Sequence, residues 1–295
     1  MALAEALASG RLAGWDDVGS SNGRGRTFAS LEQLWAVQAE ERDAYYAANR
    51  CFWDEGGYRG ESSDEAMIGD DGSAEDLAAS GAFLDRLLAR RTARAVVDSV
   101  LDVGAGAGRV AAGLLLPRSA VSLHLVEGCR RWSDESRRRL GSNTSVPVTT
   151  ATEDDVAAAG ADAAVVTFEV CDLEEFEPRA EAFDLIWVQW TLQYLIDADA
   201  VALLRRLGAG LSAAGLLVLK ENAPAFEGPA ASLFQVMAPT GGLGSRRFEI
   251  TRPDAHHRLL FERAGLVLLE SEPCPATETV VWVLRAQAQG VEYSR

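Results

Sequence analysis

The sequence has no long apolar run and few basic residues. No apolar stretch reaches the ~18–20 residues that a membrane-spanning helix needs. We expect no secretory signal, because Met1–Gly14 lacks a basic region followed by a long apolar core. Lys and Arg number 28 against 44 acidic residues, so the net charge is −16. We therefore expect no membrane partner and no nucleic-acid partner, since binding to phosphates depends on Lys and Arg.

Cysteine is also scarce. The four cysteines are scattered, and no pair has the spacing of metal ligands: Cys51, Cys129, Cys171 and Cys274. We predict no metal site. Reduced thiols are the simplest interpretation, so we expect the protein in the cytoplasm, the nucleus or both. We also expect a monomer, although no residue pattern bears directly on the oligomeric state.

From residue 97 onward, apolar runs alternate with helical patterns. Such alternation predicts a mostly parallel sheet with helices on both faces. We predict an α/β fold: a seven-stranded, doubly wound, Rossmann-like sheet with an N-terminal helical extension. The expected helices are 30–53, 76–96, 107–116, 130–140, 197–210 and 253–264. The expected strands are 99–103, 122–127, 165–171, 183–189, 216–221, 266–270 and 279–285, the last two forming a hairpin.

Composition divides the chain into three regions. Residues 1–29 are rich in small residues without periodicity, which predicts a flexible extension. Residues 30–96 are expected to form a helical lid, and residues 97–287 the α/β domain. Two stretches interrupt the alternation of that domain. We interpret 141–164 as a surface insertion and 224–250 as a long loop that builds or covers a site.

The most informative motif is the glycine-rich turn within Leu101–Arg109, at the end of the first apolar strand. Its three alternating glycines leave the backbone bare at the start of a helix, where a ligand can bind the amide groups. A dinucleotide fingerprint requires glycine where Arg109 stands, which disfavours a dehydrogenase. The pattern instead resembles the first motif of class I S-adenosylmethionine-dependent methyltransferases. Glu127 ends the next apolar run, where an acid can accept hydrogen bonds from both ribose hydroxyls.

Other polar residues also follow predicted strands, and ligands of a doubly wound sheet lie beyond these carboxyl ends. Asp172 and Leu173 follow the third strand, where an adenine can be held. Gln189 and Trp190 follow the fourth, and Asn222 follows the fifth. A large aromatic ring can form the wall of a substrate slot, and an amide oxygen can hold an amine.

Several segments together resemble the eukaryotic protein N-terminal methyltransferases, over about residues 43 to 285. The resemblance implies a class I methyltransferase domain, S-adenosylmethionine as methyl donor, and methylation of the α-amine of proteins that begin X-Pro-Lys after loss of the initiator Met. The substrate partner is then a protein N-terminus with a basic third residue. The matching segments are Tyr45–Trp53, Met67–Gly69, Leu101–Arg109, Phe183–Trp190, Leu219–Asn222 and Thr251–His256.

Residue roles follow from this resemblance and from the strand ends. The residues expected to bind the cofactor are Gly104, Gly106, Arg109, Glu127, Asp172, Leu173 and Gln189. The residues expected to bind or enclose the substrate are Phe52, Trp53, Ile68, Trp190 and Asn222.

Two positions depart from the family pattern. Tyr194 stands where the family usually has a histidine, and a segment with Arg247 and Glu249 stands where it has an aspartate. We hypothesise that Tyr194 and Glu249 orient or deprotonate the amine while Asn222 holds it. The departures leave two alternatives open. One is a methyltransferase for a small molecule or another protein amine, and the other is a non-catalytic cofactor-binding homologue.

Overall fold

The computed structural model describes residues 12–17, 26–28, 31–55, 57, 62–68, 73–91, 97–141, 149–150, 165–223, 233–237, 247–252, 254–274, 277 and 279–287. The helices are α1 (Leu31–Asp54), α2 (Ser63–Ile68), α3 (Ser73–Arg91), α4 (Arg130–Gly141), α5 (Asp197–Gly210) and α6 (Asp254–Arg263). The strands are β1 (Leu12–Asp17), β2 (Arg26–Phe28), β3 (Val97–Val103), β4 (Ser119–Glu127), β5 (Thr149–Thr150), β6 (Val165–Val170), β7 (Phe183–Gln189), β8 (Leu211–Asn222), β9 (Leu233–Met237), β10 (Arg247–Thr251), β11 (Leu266–Cys274) and β12 (Thr279–Ala286).

The main sheet has the strand order β11-β12-β8-β7-β3-β4-β6-β5. Strands β5, β6, β4, β3, β7 and β8 run parallel, and β12 is antiparallel to both β8 and β11. All seven predicted strands are present, and the predicted closing hairpin is confirmed. The short strand β5, which lies inside the predicted insertion 141–164, adds an eighth. After β6 the chain crosses back to β7 on the other side of β3, so the switch point lies between β3 and β7.

Helices cover both faces of this sheet. Because side chains alternate along a strand, Val100 packs on one face with Leu84 and Leu87 of α3, and Leu101 packs on the other with Leu203 of α5. The helix α3 was assigned from the sequence to the lid. Its packing against Val100 shows that it also contributes to the core of the main sheet.

The helix predicted at 107–116 is irregular. A π-helical turn spans Ala111–Leu115, and a 3₁₀ turn spans Leu116–Arg118. Gly113 lies inside it, where an added Cβ would be 2.9 Å from a methyl group of Leu77. Pro117 in the 3₁₀ turn lacks the N–H that an ordinary helix uses at that position. Close packing against α3 and this proline accompany the departure from α-helical geometry.

A second sheet, with the order β10-β9-β1-β2, was not predicted. Its strand β1 is parallel to β9, and β10 is antiparallel to β9. Strands β1 and β2 lie within 1–29, which the sequence predicts to be flexible, and β9 and most of β10 lie within the predicted long loop 224–250. The strands are short and pair with partners distant in the chain, so no local periodicity signals them. Among the described residues, no helix is long and apolar enough to cross a membrane.

Candidate active site

A cavity of about 830 Å³ opens at the carboxyl edge of β3, β4, β6, β7 and β8, beneath α1 and α2. This volume suits a cofactor-sized ligand. The predicted site residues that line it are Trp53, Ile68, Gly104, Gly106, Arg109, Glu127, Asp172, Leu173, Gln189, Trp190, Tyr194 and Asn222. The topology brings these residues together because parallel strands end at the same edge of a sheet.

The glycine loop forms the floor of the cavity. Gly104 and Ala105 donate their N–H groups to the carbonyl of Val126 at 2.9 and 3.0 Å, which ties the loop to β4. Gly104 has φ +70°, and a Cβ built on it would lie 2.4 Å from Oγ1 of Thr191. Only glycine fits that combination of left-handed backbone and close approach.

Glu127 is fixed beside this loop by two backbone hydrogen bonds. Its Oε2 accepts from the N–H of Gly106 at 2.8 Å, and its Oε1 accepts from the N–H of Cys129 at 2.9 Å. Burial raises the pKa of this carboxyl, and the two N–H groups counteract part of that effect. The carboxylate borders the cavity, and each oxygen keeps accepting capacity. This arrangement suits a diol such as a ribose.

The end of β6 forms the adjacent wall. Arg50 of α1 lies 3.5 Å from Oδ2 of Asp172 and 3.8 Å from Oε1 of Glu174. These ion pairs are partly exposed, so each contributes little to stability. They nevertheless join α1 to the strand end beside which Leu173 lines the cavity.

Trp190 and Asn222 form the wall at the ends of β7 and β8. The indole Nε1 of Trp190 donates to Oδ1 of Asn222 at 3.0 Å, and Nδ2 of Asn222 donates to Oε1 of Gln193 at 3.2 Å. Trp190 has φ +51°, which is a strained conformation for a bulky residue. Such strain is held only where the surroundings fix it, and it concentrates at functional sites.

Aromatic side chains from α1 cover this wall. Trp53 contacts the ring of Tyr194 edge to face, with the centroids 5.5 Å apart. Phe52 was predicted to enclose the ligand, but it is buried and lies 4.9 Å from Trp53, also edge to face. Phe52 thus supports Trp53 from the protein interior, because the helix turns consecutive residues to different sides.

The two departures from the family pattern lie in different elements. Tyr194 ends the 3₁₀ turn Leu192–Tyr194 and lines the cavity. The backbone of Glu249 lies in β10, opposite Gln235 of β9, in the second sheet. The side chains of Glu249 and Arg247 fall outside the described residues. The hypothesis that Glu249 acts on the amine therefore stays a prediction.

Two buried charges hold the turn that carries Tyr194. Oε1 of Glu221 accepts from the N–H groups of Thr191 and Leu192, each at 2.7 Å. On the other side, Arg252 donates to the carbonyls of Leu192 at 3.0 Å and Leu195 at 2.6 Å. Glu221 and Arg252 each entered only as part of a matching segment, without a predicted role. The available signal for Glu221 was an acidic residue at the end of an apolar run.

Asp76, on the first turn of α3, belongs to the segment that resembles the family's second helix, but the sequence indicated no role for it. It accepts at Oδ2 from Gln189 Nε2 and Arg109 Nη1, each at 2.8 Å, and at Oδ1 from Lys220 Nζ. The other end of the Gln189 amide accepts from Trp187 Nε1 at 3.1 Å. Both ends of Gln189 thus bond to the protein, and its predicted contact with the cofactor stays a prediction.

The described residues fit S-adenosylmethionine in three respects. The glycine loop has no room for a Cβ at Gly104, Glu127 beside it can accept hydrogen bonds from a diol, and the cavity is large enough for the cofactor. None of the described residues form a cluster that could hold a metal ion. The fold and this site define an S-adenosylmethionine-dependent methyltransferase. The family model of AdoMet-dependent proline di-methyltransferases matches residues 41–275, so the chain belongs to that family.

Individual relatives agree with this assignment. The chain is 29% identical to N-terminal Xaa-Pro-Lys N-methyltransferase 1 of Danio rerio, over 64% of this chain and 75% of the relative. It is 28% identical to Alpha N-terminal protein methyltransferase 1 of Arabidopsis thaliana, over 87% of this chain and 85% of the relative. A solved S-adenosylmethionine-dependent methyltransferase of Leishmania major has the same fold, with a TM-score of 0.68, 22% identity, and coverage of 93% of this chain and 96% of that chain. The protein is an S-adenosylmethionine-dependent N-methyltransferase.

Proposed function

We propose that the protein transfers methyl groups from S-adenosylmethionine to the free α-amine of proteins that begin X-Pro-Lys. The observation that carries this proposal is the hydrogen-bonded pair of Trp190 and Asn222, which faces the same cavity as the glycine loop. A flat indole fixed at the cavity wall offers a stacking surface for a proline ring. The Danio rerio relative is named for X-Pro-Lys N-termini.

The residues of the slot bind and orient the amine. When bound, S-adenosylmethionine supplies an electrophilic sulfonium methyl group. Alignment of the nucleophile is the main requirement of such a displacement. Oδ1 of Asn222 already accepts from Trp190 and has a second lone pair for an amine N–H. Trp53 and Tyr194 contact each other edge to face and line the cavity beside this pair.

Deprotonation of the amine makes a limited demand on the protein. A free α-amine has a pKa of about 8, so about a tenth of it is neutral at pH 7. We assign Tyr194 to orienting the amine by a hydrogen bond to its hydroxyl, because it lines the cavity beside the Trp190 wall. Glu249 is proposed as the second such group. Its strand β10 ends at Thr251, directly before Arg252, and Arg252 bonds to the turn that carries Tyr194.

The preference for a basic third residue is supported by charge. Acidic residues outnumber the two arginines, Arg50 and Arg109, around the cavity: Asp54, Glu75, Glu127, Asp172 and Glu174. The whole chain carries a net charge of −16, which attracts cationic peptides. We place the protein in a reducing compartment, the cytoplasm or nucleus, because all four cysteines are free.

The test is methyl transfer from labelled S-adenosylmethionine to a short peptide beginning Ser-Pro-Lys-Arg. The same peptide acetylated at its N-terminus is the control for lysine methylation, and one beginning Ser-Pro-Glu tests the third position. We expect transfer to the free, basic peptide alone. Asn222→Lys is expected to abolish transfer and to retain binding of S-adenosylhomocysteine. Equal transfer to the acetylated peptide, or full activity of Asn222→Lys, would refute the assignment.

A further inference from the structure

Lys220 is the only lysine of the chain, and it is completely buried. Lysine is almost never buried unless it is paired. Its ammonium group donates to Oδ1 of Asp76 and to Oγ of Ser80 at 2.9 Å, and it lies 5.9 Å from the centroid of the Trp190 ring. These contacts match the three donors of the ammonium group.

Asp76 connects Lys220 to the cavity wall. Its second oxygen accepts from Arg109, whose guanidinium also lies 5.5 Å from the Trp190 ring. Arg109 and Trp190 line the cavity, while Lys220 and Asp76 lie behind them, both almost fully buried. Burial alone raises the pKa of Asp76, but Lys220 and Arg109 outweigh that effect and lower it. The carboxyl is therefore ionised at neutral pH.

The charges of these three groups do not cancel. Two cations, Lys220 and Arg109, share the carboxylate of Asp76, so these three groups carry one excess positive charge. Asp102 also interacts with Arg109 but balances that charge only in part, because burial raises the pKa of its carboxyl to about 7. An excess charge in a buried cluster is costly unless an anion balances it. Arg109 is the member of the cluster that reaches the cavity.

The position of the cluster indicates which part of the cofactor supplies that anion. Glu127 lies at the end of β4, on the side expected for the ribose. Trp190 follows β7, on the other side of β3 from β4, and the guanidinium of Arg109 lies against its ring. On the other side of the ribose from its adenine, S-adenosylmethionine has a methionine moiety, which carries a carboxylate.

We propose that Lys220 is a positioning residue that sets the charge of the cofactor site: by occupying Asp76, it leaves Arg109 with net positive charge for the methionine carboxylate. Without Lys220, Arg109 would be the only cation on Asp76, and the carboxylate would neutralise its charge. The same contact places a cation beneath Trp190, so Lys220 joins the cofactor side of the cavity to the substrate wall. This inference rests on the cofactor of the proposed function and not on the identity of the methylated amine.

The test compares two ligands by isothermal titration calorimetry without peptide. S-adenosylhomocysteine keeps the carboxylate, and 5′-methylthioadenosine lacks the whole amino-acid part. Lys220→Met removes one positive charge from behind Arg109, and we expect it to weaken the binding of S-adenosylhomocysteine about tenfold, the order of magnitude of a single charge–charge interaction in a partly buried site. The affinity for methylthioadenosine should change by less than about twofold. The double variant Asp76→Asn/Lys220→Met restores one excess charge and should recover most of the lost affinity for S-adenosylhomocysteine.

Other outcomes would overturn the proposal. Equal weakening of both ligands by Lys220→Met, or a double variant weaker than Lys220→Met, indicates a merely structural role. If Lys220→Met does not fold, Asp76→Asn carries the test, because two excess charges should raise the affinity for S-adenosylhomocysteine relative to methylthioadenosine. A fall in that ratio refutes the inference. None of these results depends on transfer to X-Pro-Lys peptides, so failure of the proposed function would be seen separately.

Discussion

Substitution of Glu221 by glutamine should change the pH dependence of stability. Glu221 is 1% exposed, and its Oε1 accepts two backbone hydrogen bonds. Its Oε2 is buried and makes no hydrogen bond to any residue that the structure describes. Burial raises the pKa of this carboxyl to about 7, against the opposing influence of the N–H groups of Thr191 and Leu192 and of Arg252.

The size of the effect follows from the pKa shift. The carboxyl moves from an ordinary value of 4.5 to about 7 in the folded protein. At ~1.4 kcal/mol per pKa unit, the shift corresponds to about 3 kcal/mol. Because the folded pKa is the higher one, protonated Glu221 favours the fold below pH 4.5, and this contribution is lost as the pH rises through 7. Glutamine keeps an oxygen for the two N–H groups and does not ionise.

The assay is denaturant unfolding of both proteins between pH 4 and pH 8, followed by tryptophan fluorescence. The free energy of unfolding of Glu221→Gln, relative to the unaltered protein, should rise by about 3 kcal/mol across this range. Glu262→Gln, at an exposed position of α6, is the matched control for removal of one carboxylate. A difference between Glu221→Gln and the unaltered protein that stays constant with pH would refute this reasoning.

Two further predictions concern the glycine floor and the turn behind the cavity. Gly104→Ala should abolish binding of S-adenosylhomocysteine in calorimetry, because its Cβ would meet Thr191. Gly265→Ala is the control for backbone strain, because Gly265 also has a positive φ, +74°, but no atom lies within 4 Å of the added Cβ. This control variant should bind S-adenosylhomocysteine normally. Arg252→Met should lower the free energy of unfolding by about 3–5 kcal/mol. The substitution removes a buried cation from Asp197 and leaves the carbonyls of Leu192 and Leu195 without their donor. A loss below about 1 kcal/mol would contradict the role of Arg252 in holding this turn.

Much of the main sheet could be predicted from the sequence. Its strands are buried on both faces and read as apolar runs, and α5 begins and ends at the predicted residues, Asp197 and Gly210. The convergence of Gly104, Glu127 and Asn222 on one cavity also follows from the pattern, because the carboxyl ends of parallel strands meet. For the same reason a motif at each strand end was sufficient to locate the cavity.

What could not be predicted depends on partners that are distant in the chain. Asp76 appears in the sequence as an ordinary acid in the first turn of a helix, which is favourable there without any partner. Lys220 is one basic residue between Leu219 and Glu221, and its burial becomes evident only when α3 packs over β8. The second sheet was missed for a related reason, since β1 pairs with β9 across most of the chain.

The buried charges and the strained tryptophan belong to one structural arrangement. A non-glycine residue with φ +51° costs free energy that its own contacts must offset. At Trp190 the backbone N–H donates to the carbonyl of Lys220 at 3.0 Å, and the indole bonds to Asn222. Glu221 holds the two residues that follow. The side chains of Lys220 and Glu221 also act on this segment, since the Lys220 ammonium lies 5.9 Å from the Trp190 ring and Glu221 holds the following turn. Substitutions at either residue should therefore alter substrate binding as well as stability, although neither side chain lines the cavity.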